Sequence, residues 1–476
     1  MIKFTNSYAQ LGESFFERIL PTPVTAPSLL LWNDTLAEQL ELSNSLRGDQ
    51  QLQAAIFSGN QLPEGSDSMA LAYSGHQFGQ LNPQLGDGRA HLLGELLDKQ
   101  GRRFDIQLKG SGRTPYSRQG DGRCALGPAL REYIMSEAMY FLGVPTSRCL
   151  AVVATGDPVY RESVKPGAVV TRIAASHIRI GTFTWFAIRK DLESLSALLD
   201  YAIVRHFPEL DNNAENKAIA FLDAVLERQI TLMVAWLRVG FIHGVMNTDN
   251  TAISGETIDF GPCAMMGSYH PATVYSSIDT QGRYAFGNQP NIAVWNLTRL
   301  AECLIPLVNT EEKQAIASLE PVLLSFSERF DQAYFSMMGA KLGIAEITEQ
   351  DRVLIETLLE SMQSHELDYT QTFHQLTHSI KGNSPLPDSC NEWFAQWQAR
   401  LEPGSQALMQ ANNPVVIPRN HHIESVLKAC EESGSTAPAE NILEVLRSPY
   451  SEIAATKDYQ GAAEDKDASY QTFCGT

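Results

Sequence analysis

The 476-residue sequence has no apolar run that approaches the roughly 18 residues needed to cross a bilayer. Its first residues, Met-Ile-Lys-Phe-Thr-Asn-Ser, lack a basic region followed by an apolar stretch, so no secretory signal peptide is expected. We therefore expect a cytoplasmic protein without a membrane partner. The cysteines are odd in number, scattered and free of Cys-x-x-Cys pairs, which disfavours a zinc site and a secreted disulfide framework.

Positive charge is also scarce. The chain has 36 Lys and Arg against 55 Asp and Glu, for a net charge of −19. This balance argues against nucleic acid as the main partner. Apolar content of 43% and charged content of 19% are typical of a soluble globular protein. A phosphate-binding site in such a chain must be a local cluster of basic residues.

The segment His243-Gly-Val-Met-Asn-Thr-Asp-Asn250, followed by Asp259-Phe-Gly261, is the strongest signal in the sequence. Protein kinases use H-R-D-x-x-x-x-N and then D-F-G to hold metal and phosphate. The third position, where a kinase has its catalytic Asp, is Val245, which cannot accept a proton. A different carboxylate, Asp249, lies directly before Asn250.

Asn250 and Asp259 are oxygen donors suited to Mg²⁺ or Mn²⁺. Short strands at 251–253 and 257–258 predict a small hairpin that would bring the two residues together. The alternative is a purely structural turn, in which Asn and Asp are common. The combined spacing favours the metal site.

Lys109 ends the second strand of a predicted β-hairpin, residues 92–97 and 103–109 with a turn at 98–101. Glu132 follows on a predicted helix that begins near Pro128. In kinases such a pair fixes a phosphate-binding lysine. The alternative is a surface Lys and a solvated Glu.

Two similar loops flank that strand, Gly86-Asp-Gly88-Arg89 and Gly120-Asp121-Gly122-Arg123. Glycines allow backbone N–H groups to approach phosphate, and Arg offers a bidentate fork. Either loop alone could be an ordinary turn, and neither matches the P-loop pattern.

Arg172 and Arg179 could bind the phosphates of a nucleotide or could face an acidic surface. The sequence pattern alone does not decide between the two.

The order of elements predicts an α+β, protein-kinase-like fold with two lobes and extensions at both ends. We divide the chain into an N-terminal extension (1–70), a β-rich lobe (71–188), a mainly helical lobe with the metal loop (189–400) and a polar, proline-bearing C-terminal segment and tail (401–476).

At these motifs the chain resembles the selenoprotein O family (YdiU in bacteria), kinase-like proteins that transfer AMP to protein hydroxyls. The resemblance rests on the Gly86 and Gly120 loops, the run from Lys109 to Arg118, Arg131-Glu132, the His243–Asn250 loop and Asp259-Phe-Gly-Pro-Cys263. It extends over nearly the whole chain.

The resemblance implies that ATP, or UTP, binds inverted relative to a kinase and donates its nucleoside monophosphate to Ser, Thr or Tyr hydroxyls of proteins. Asp249 would then accept the proton, Asn250 and Asp259 would hold the metal, and Glu132 would orient Lys109. The nucleotide would be held by Gly86, Gly88, Arg89, Lys109, Asp121, Gly122, Arg172, Arg179 and Asp259.

Some members of this family carry selenocysteine near the C-terminus, and we hypothesise a reversible disulfide between Cys263 and Cys474.

Two other functions remain open at this point. The loss of a catalytic Asp would also suit a silent nucleotide-binding pseudokinase scaffold. A kinase that has acquired another base would transfer the γ-phosphoryl group instead.

Overall fold

A computed structural model describes residues 2–42, 46–465, 467 and 469–473. An N-terminal lobe built on a sheet precedes a C-terminal lobe built on helices, which confirms the predicted α+β class and the order of the lobes. The two lobes meet at the residues that the sequence motifs single out.

The strands of the first lobe are β1 (Phe16–Arg18), β2 (Ser28–Trp32), β3 (Met69–Leu71), β4 (Gly75–Gln77), β5 (Gln80–Asn82), β6 (Ala90–Leu97), β7 (Arg103–Lys109), β8 (Cys124–Ala125), β9 (Arg148–Tyr160) and β10 (Val164–Ala174). The main sheet has the order β1-β3-β6-β7-β10-β9-β2, with β8 paired to β10. Strands β4 and β5 form a separate hairpin. Because β1 and β2 pair with β3 and β9, residues from the first 70 are integral to the sheet.

The predicted hairpin of β6 and β7 is present, with its turn at Asp98 and Gly101. The Asp98 carboxylate accepts bonds from the backbone N–H groups of Gln100 and Arg102 and so fixes the turn. The polar face of β7 is buried as completely as its apolar face, since β7 lies in the middle of the sheet. Lys109 is only 6% exposed, which excludes the alternative of a surface lysine.

Helices α1 (Asp34–Gln39), α2 (Gln50–Phe57) and α3 (Leu126–Phe141) belong to the first lobe. The second lobe contains α4 (Ile180–Arg189), α5 (Leu192–His206), α6 (Lys217–Val239), α7 (Gln289–Val308), α8 (Glu312–Leu324), α9 (Phe326–Lys341), α10 (Glu349–Ser364), α11 (Tyr369–His378) and α12 (Asn391–Arg400). Within the described ranges, none of the helices is long and apolar enough to cross a membrane.

The motif loop follows the long central helix α6, which ends at Gly240 with a positive φ of 77°. Strand β11 (Phe241–Ile242) then pairs with β12 (Ala264–Met265), so the segment between them closes on itself. From α7, Asn296 donates to the carbonyl of Met246 and to the hydroxyl of Thr251, at 3.0 and 2.9 Å. Helical-lobe packing therefore fixes the loop backbone.

The predicted hairpin of residues 251–253 and 257–258 is wrong. Ala252 instead forms an isolated bridge with Arg179, and Thr257 forms one with Thr146. Each short segment finds its partner in a different part of the chain, because tertiary contacts outweigh the local strand pattern. The turn at Gly255 is retained, with φ of 75°.

The C-terminal segment is more regular than its polar, proline-bearing sequence indicated. It contains α13 (Ser405–Asn412), α14 (Asn420–Ser433), α15 (Ala437–Leu446) and α16 (Thr456–Gln460). Helices α14 and α15 pack against α3, which on its other side contacts β9 and β10. This segment therefore supports the helix that carries Glu132.

A buried ion pair joins α3 to the sheet. The Glu137 carboxylate accepts two bonds from the Arg148 guanidinium, from Nε at 2.8 Å and from Nη2 at 2.7 Å. Their side chains are 1% and 7% exposed. The Arg148 guanidinium also lies 3.7 Å from the ring centroid of Tyr140.

We expect Glu137→Gln to lower the free energy of unfolding by about 3–5 kcal/mol, because it leaves the Arg148 charge buried without its counter-ion. The matched control is Glu432→Gln, whose exposed partner Lys428 lies 3.8 Å away. That change should cost at most about 1 kcal/mol. Denaturant titration of both variants checks the difference, and equal losses would contradict it.

Candidate active site

A cavity of about 330 Å³ lies between the two lobes. Its lining includes every residue predicted to contact nucleotide or metal, together with Asp249: Gly86, Gly88, Arg89, Lys109, Asp121, Gly122, Arg172, Arg179, Asp249, Asn250 and Asp259. Basic side chains outnumber acidic ones in this lining, although the chain as a whole is strongly acidic. Of the predicted residues, Glu132 lies behind the wall and contacts its charged groups.

Four charged side chains form one connected network at the back of the cavity. Lys109 Nζ donates to Glu132 Oε2 and to Asp259 Oδ1, both at 2.7 Å. Arg172 Nη2 donates to the same Asp259 oxygen at 3.1 Å, and its Nε donates to Glu132 Oε1. The network joins β7, β10, α3 and the loop that carries Asp259. Glu132 therefore fixes two cations, Lys109 and Arg172, whereas the sequence predicted that it orients Lys109 alone.

The network keeps both of its carboxylates ionised. Burial alone would raise the pKa of Asp259, but the charges of Lys109, Arg172 and Arg89 outweigh it and hold that pKa well below its ordinary value. Burial would also raise the pKa of Glu132. The charges of Arg172 and Lys109 outweigh that effect, and the pKa of Glu132 is lowered. The result is a cavity wall with permanently charged groups.

The two residues predicted to bind metal offer oxygen atoms as ligands. Asn250 donates its amide Nδ2 to the carbonyl of Val245 at 3.0 Å, which leaves its Oδ1 to face another group. Both cations on Asp259 bind Oδ1, so neither of these bonds uses Oδ2. Among the described residues, no group of three or more His, Cys, Asp or Glu could hold a metal. Mg²⁺ commonly uses one or two protein oxygens and completes its shell with phosphates and water, so Asn250 and Asp259 fit such an ion.

Asp249 lies in a short 3₁₀ turn, Thr248–Asn250, and is buried to 8% exposure. Burial raises the pKa of its carboxyl group to about 6. Oδ2 accepts a hydrogen bond from Gln77 Nε2 at 3.3 Å. Oδ1 is buried and has no hydrogen-bond partner among the described residues. A carboxylate that lines a cavity can accept a proton from a group bound there.

The paired glycine loops adopt backbone that other residues enter only with strain. Gly86 and Gly122 have φ of 73° and 69°. A Cβ on Gly86 would strike the ring of Tyr116, and one on Gly122 would strike the backbone of Gly112. The glycines are therefore required for the close packing of loop on loop, a reason that the sequence did not reveal.

Arg179 and Asp121 have defined partners. Arg179 lies 3.6 Å from Asp87 and stacks on the ring of Tyr73 at 4.2 Å, and its buried Nε lacks a hydrogen-bond partner in the described part of the chain. Asp121 forms an ion pair with Arg161 at 2.8 Å.

Sequence reasoning missed several lining residues. Arg161 and Tyr73 lie in segments without a recognised motif, and so does Gln77, which lies in the β4–β5 hairpin. His243, which kinases share, is buried, and its Nε2 lies 2.9 Å from the carbonyl oxygen of Ile258. It supports the loop that carries Asp259.

Cys263 is buried, and burial raises the pKa of its thiol to about 11. Its neighbour Pro262 accepts a hydrogen bond from the hydroxyl of Thr472 at 2.6 Å. The hypothesised disulfide partner, Cys474, lies outside the described residues. The pairing of Cys263 with Cys474 stays a prediction.

Comparison with known proteins identifies the family of the chain. Residues 1–447 match the family described as "Protein adenylyltransferase SelO". The chain belongs to the SelO family. It is 51% identical over 486 residues to "Protein nucleotidyltransferase YdiU" of Teredinibacter turnerae, a match that covers 100% of both chains. It is 51% identical to the protein of the same name from Pseudoalteromonas translucida, covering 98% of this chain and 99% of that one.

A third relative with that name, from Bacillus cereus, is 50% identical over 479 residues and is matched over 98% of its length. These matches confirm the resemblance read from the motifs and the kinase-like fold class. This SelO-family chain is an enzyme of the nucleotidyltransferase class, with a nucleotide as substrate.

We expect Lys109→Met to weaken ATP binding by about 10- to 100-fold, because a charge-assisted hydrogen bond to a buried cation contributes roughly 1.5–3 kcal/mol. Calorimetric titration with ATP and Mg²⁺ measures the change. The control is Lys428→Met, whose side chain is 75% exposed and lies outside the cavity. Unchanged affinity in a folded Lys109→Met protein would remove Lys109 from the binding site.

Proposed function

We propose that this SelO-family chain transfers AMP from ATP to Ser, Thr or Tyr hydroxyls of protein substrates, in a metal-dependent reaction that releases pyrophosphate. The observation that carries the proposal is Asp249. Its buried carboxyl group lines the cavity beside Asn250, while Val245 occupies the position of a kinase base.

The cations of the cavity bind the phosphates in this proposal. Arg89, Arg172 and Arg179 carry fixed positive charge, and Lys109 is held in place by Glu132 and Asp259. Preorganised cations of this kind stabilise the negative charge that develops on a departing pyrophosphate. They supply that stabilisation without having to reorganise as the bond breaks.

Asp249 acts on the acceptor. The acceptor oxygen forms a bond to the α-phosphorus, and the bond from that phosphorus to the bridging oxygen breaks. The hydroxyl proton passes to the Asp249 carboxylate, and the electron pair of the broken bond leaves with pyrophosphate. Asn250 and Asp259 would hold Mg²⁺ or Mn²⁺, which supplies charge neutralisation at phosphate oxygens when bound.

The test is transfer of label to protein from ATP labelled at the α- or the γ-phosphate, with Mg²⁺ and with Mn²⁺. We expect label from the α-position alone, and loss of transfer when the metal is chelated. Parallel reactions with UTP determine whether UMP is also transferred. Label from the γ-position would establish a kinase, and ATP binding without any transfer would establish a scaffold.

Asp249→Asn, measured in the same assay, keeps the shape of the side chain and removes its ability to accept the proton. This variant should retain ATP binding and lose transfer by a factor on the order of 10²–10⁴, the usual contribution of a general base. Asp200→Asn is the control, since Asp200 pairs with Lys217 on the surface. Full transfer by Asp249→Asn would contradict the proposed role.

A further inference from the structure

The β4–β5 hairpin (Gly75–Asn82) reaches from the first lobe to the loop that carries Asp249. Its two central turn residues both have positive φ, 51° at Phe78 and 83° at Gly79. Such a turn matches the twist of a two-residue hairpin, but left-handed backbone is unusual for a bulky residue such as Phe. Strain of this kind persists only where the surroundings fix it.

Hydrogen bonds to the loop that carries Asp249 fix this strained turn. The backbone N–H of His76 donates to Thr248 Oγ1 at 2.7 Å, and that of Phe78 donates to Asn247 Oδ1 at 3.0 Å. The hydroxyl of Tyr284 donates to the same Asn247 oxygen at 2.7 Å. The hairpin is therefore bonded to two successive residues directly before Asp249.

The two remaining residues of β4 face Asp249 itself. Side chains two positions apart on a strand lie on the same face, which places Gly75 and Gln77 together. A Cβ on Gly75 would lie 2.8 Å from the Asp249 Cγ, so only glycine leaves room for the carboxylate. Gln77 Nε2 donates to Oδ2 of that carboxylate at 3.3 Å.

On the basis of the proposed function, we propose that Gln77 is a positioning residue that holds the Asp249 carboxylate in the orientation in which it accepts the proton of the acceptor hydroxyl. The Gln77 amide donates one hydrogen bond to Oδ2. Oδ1 lies buried against Gly75, where a Cβ would strike it. The carboxylate is therefore held from two sides, by the amide at Oδ2 and by the packing of Oδ1 on Gly75.

Gln77 acts through Asp249, so its removal should affect turnover and spare nucleotide binding. Gln77→Leu keeps much of the side-chain volume and removes the donor. Gln77→Glu keeps the shape, but its carboxylate cannot donate and repels Asp249. Both variants should lose about 10- to 100-fold in kcat for AMP transfer, the cost of a small misplacement of a reacting group, with the KM for ATP unchanged.

Gln80→Leu is the matched control. Gln80 lies directly opposite Gln77 in the hairpin, is exposed and does not line the cavity. It should transfer AMP at the rate of the unsubstituted protein. Thermal unfolding of all three variants shows whether the hairpin is still folded.

The outcomes separate this inference from the proposed function. If the unsubstituted protein transfers no α-label, the proposed function fails. If it transfers AMP and Gln77→Glu retains the full kcat, the positioning role alone is overturned. A rise in the KM for ATP at constant kcat would also overturn it, because Gln77 would then bind nucleotide. A loss of kcat confined to the two Gln77 variants supports the inference.

Discussion

The candidate active site depends on one buried carboxylate, that of Glu132, with Lys109 and Arg172 both bound to it. Burying charges costs free energy through lost hydration, and a buried ion pair is seldom the most stable use of its positions. The network is better understood as a device for orientation. It connects the central strands to α3 and to Asp259, so the cations proposed to bind phosphate and the carboxylate proposed to bind metal share one rigid frame.

That frame explains how a chain with a net charge of −19 can present a cationic cavity. Each buried cation is paired with a carboxylate, Arg179 with Asp87 as well as Lys109 with Glu132, so the cations do not repel one another freely. Asp249 is held differently. It is buried in the lining of the same cavity and accepts a hydrogen bond from Gln77, while Val245 occupies the position of the kinase base.

The sequence predicted most of the candidate site, because the motif spacings constrain which residues can meet. Lys109, Asn250 and Asp259 line one cavity as their patterns indicated. The structural predictions that failed did so for a common reason, because contacts between distant parts of the chain determine these elements. The hairpin after Asn250 is replaced by bridges to distant segments, and α14 packs on α3 although its sequence gave little sign of regular structure. Gln77 escaped notice since its significance depends on a contact 172 residues away.

The most direct test of the account is a crystal structure with a non-hydrolysable ATP analogue and Mn²⁺. We expect the α-phosphate to lie nearest Asp249 and the β- and γ-phosphates to contact the cluster of Arg and Lys side chains. A γ-phosphate nearest Asp249, with the α-phosphate on the far side of the cluster, would contradict it.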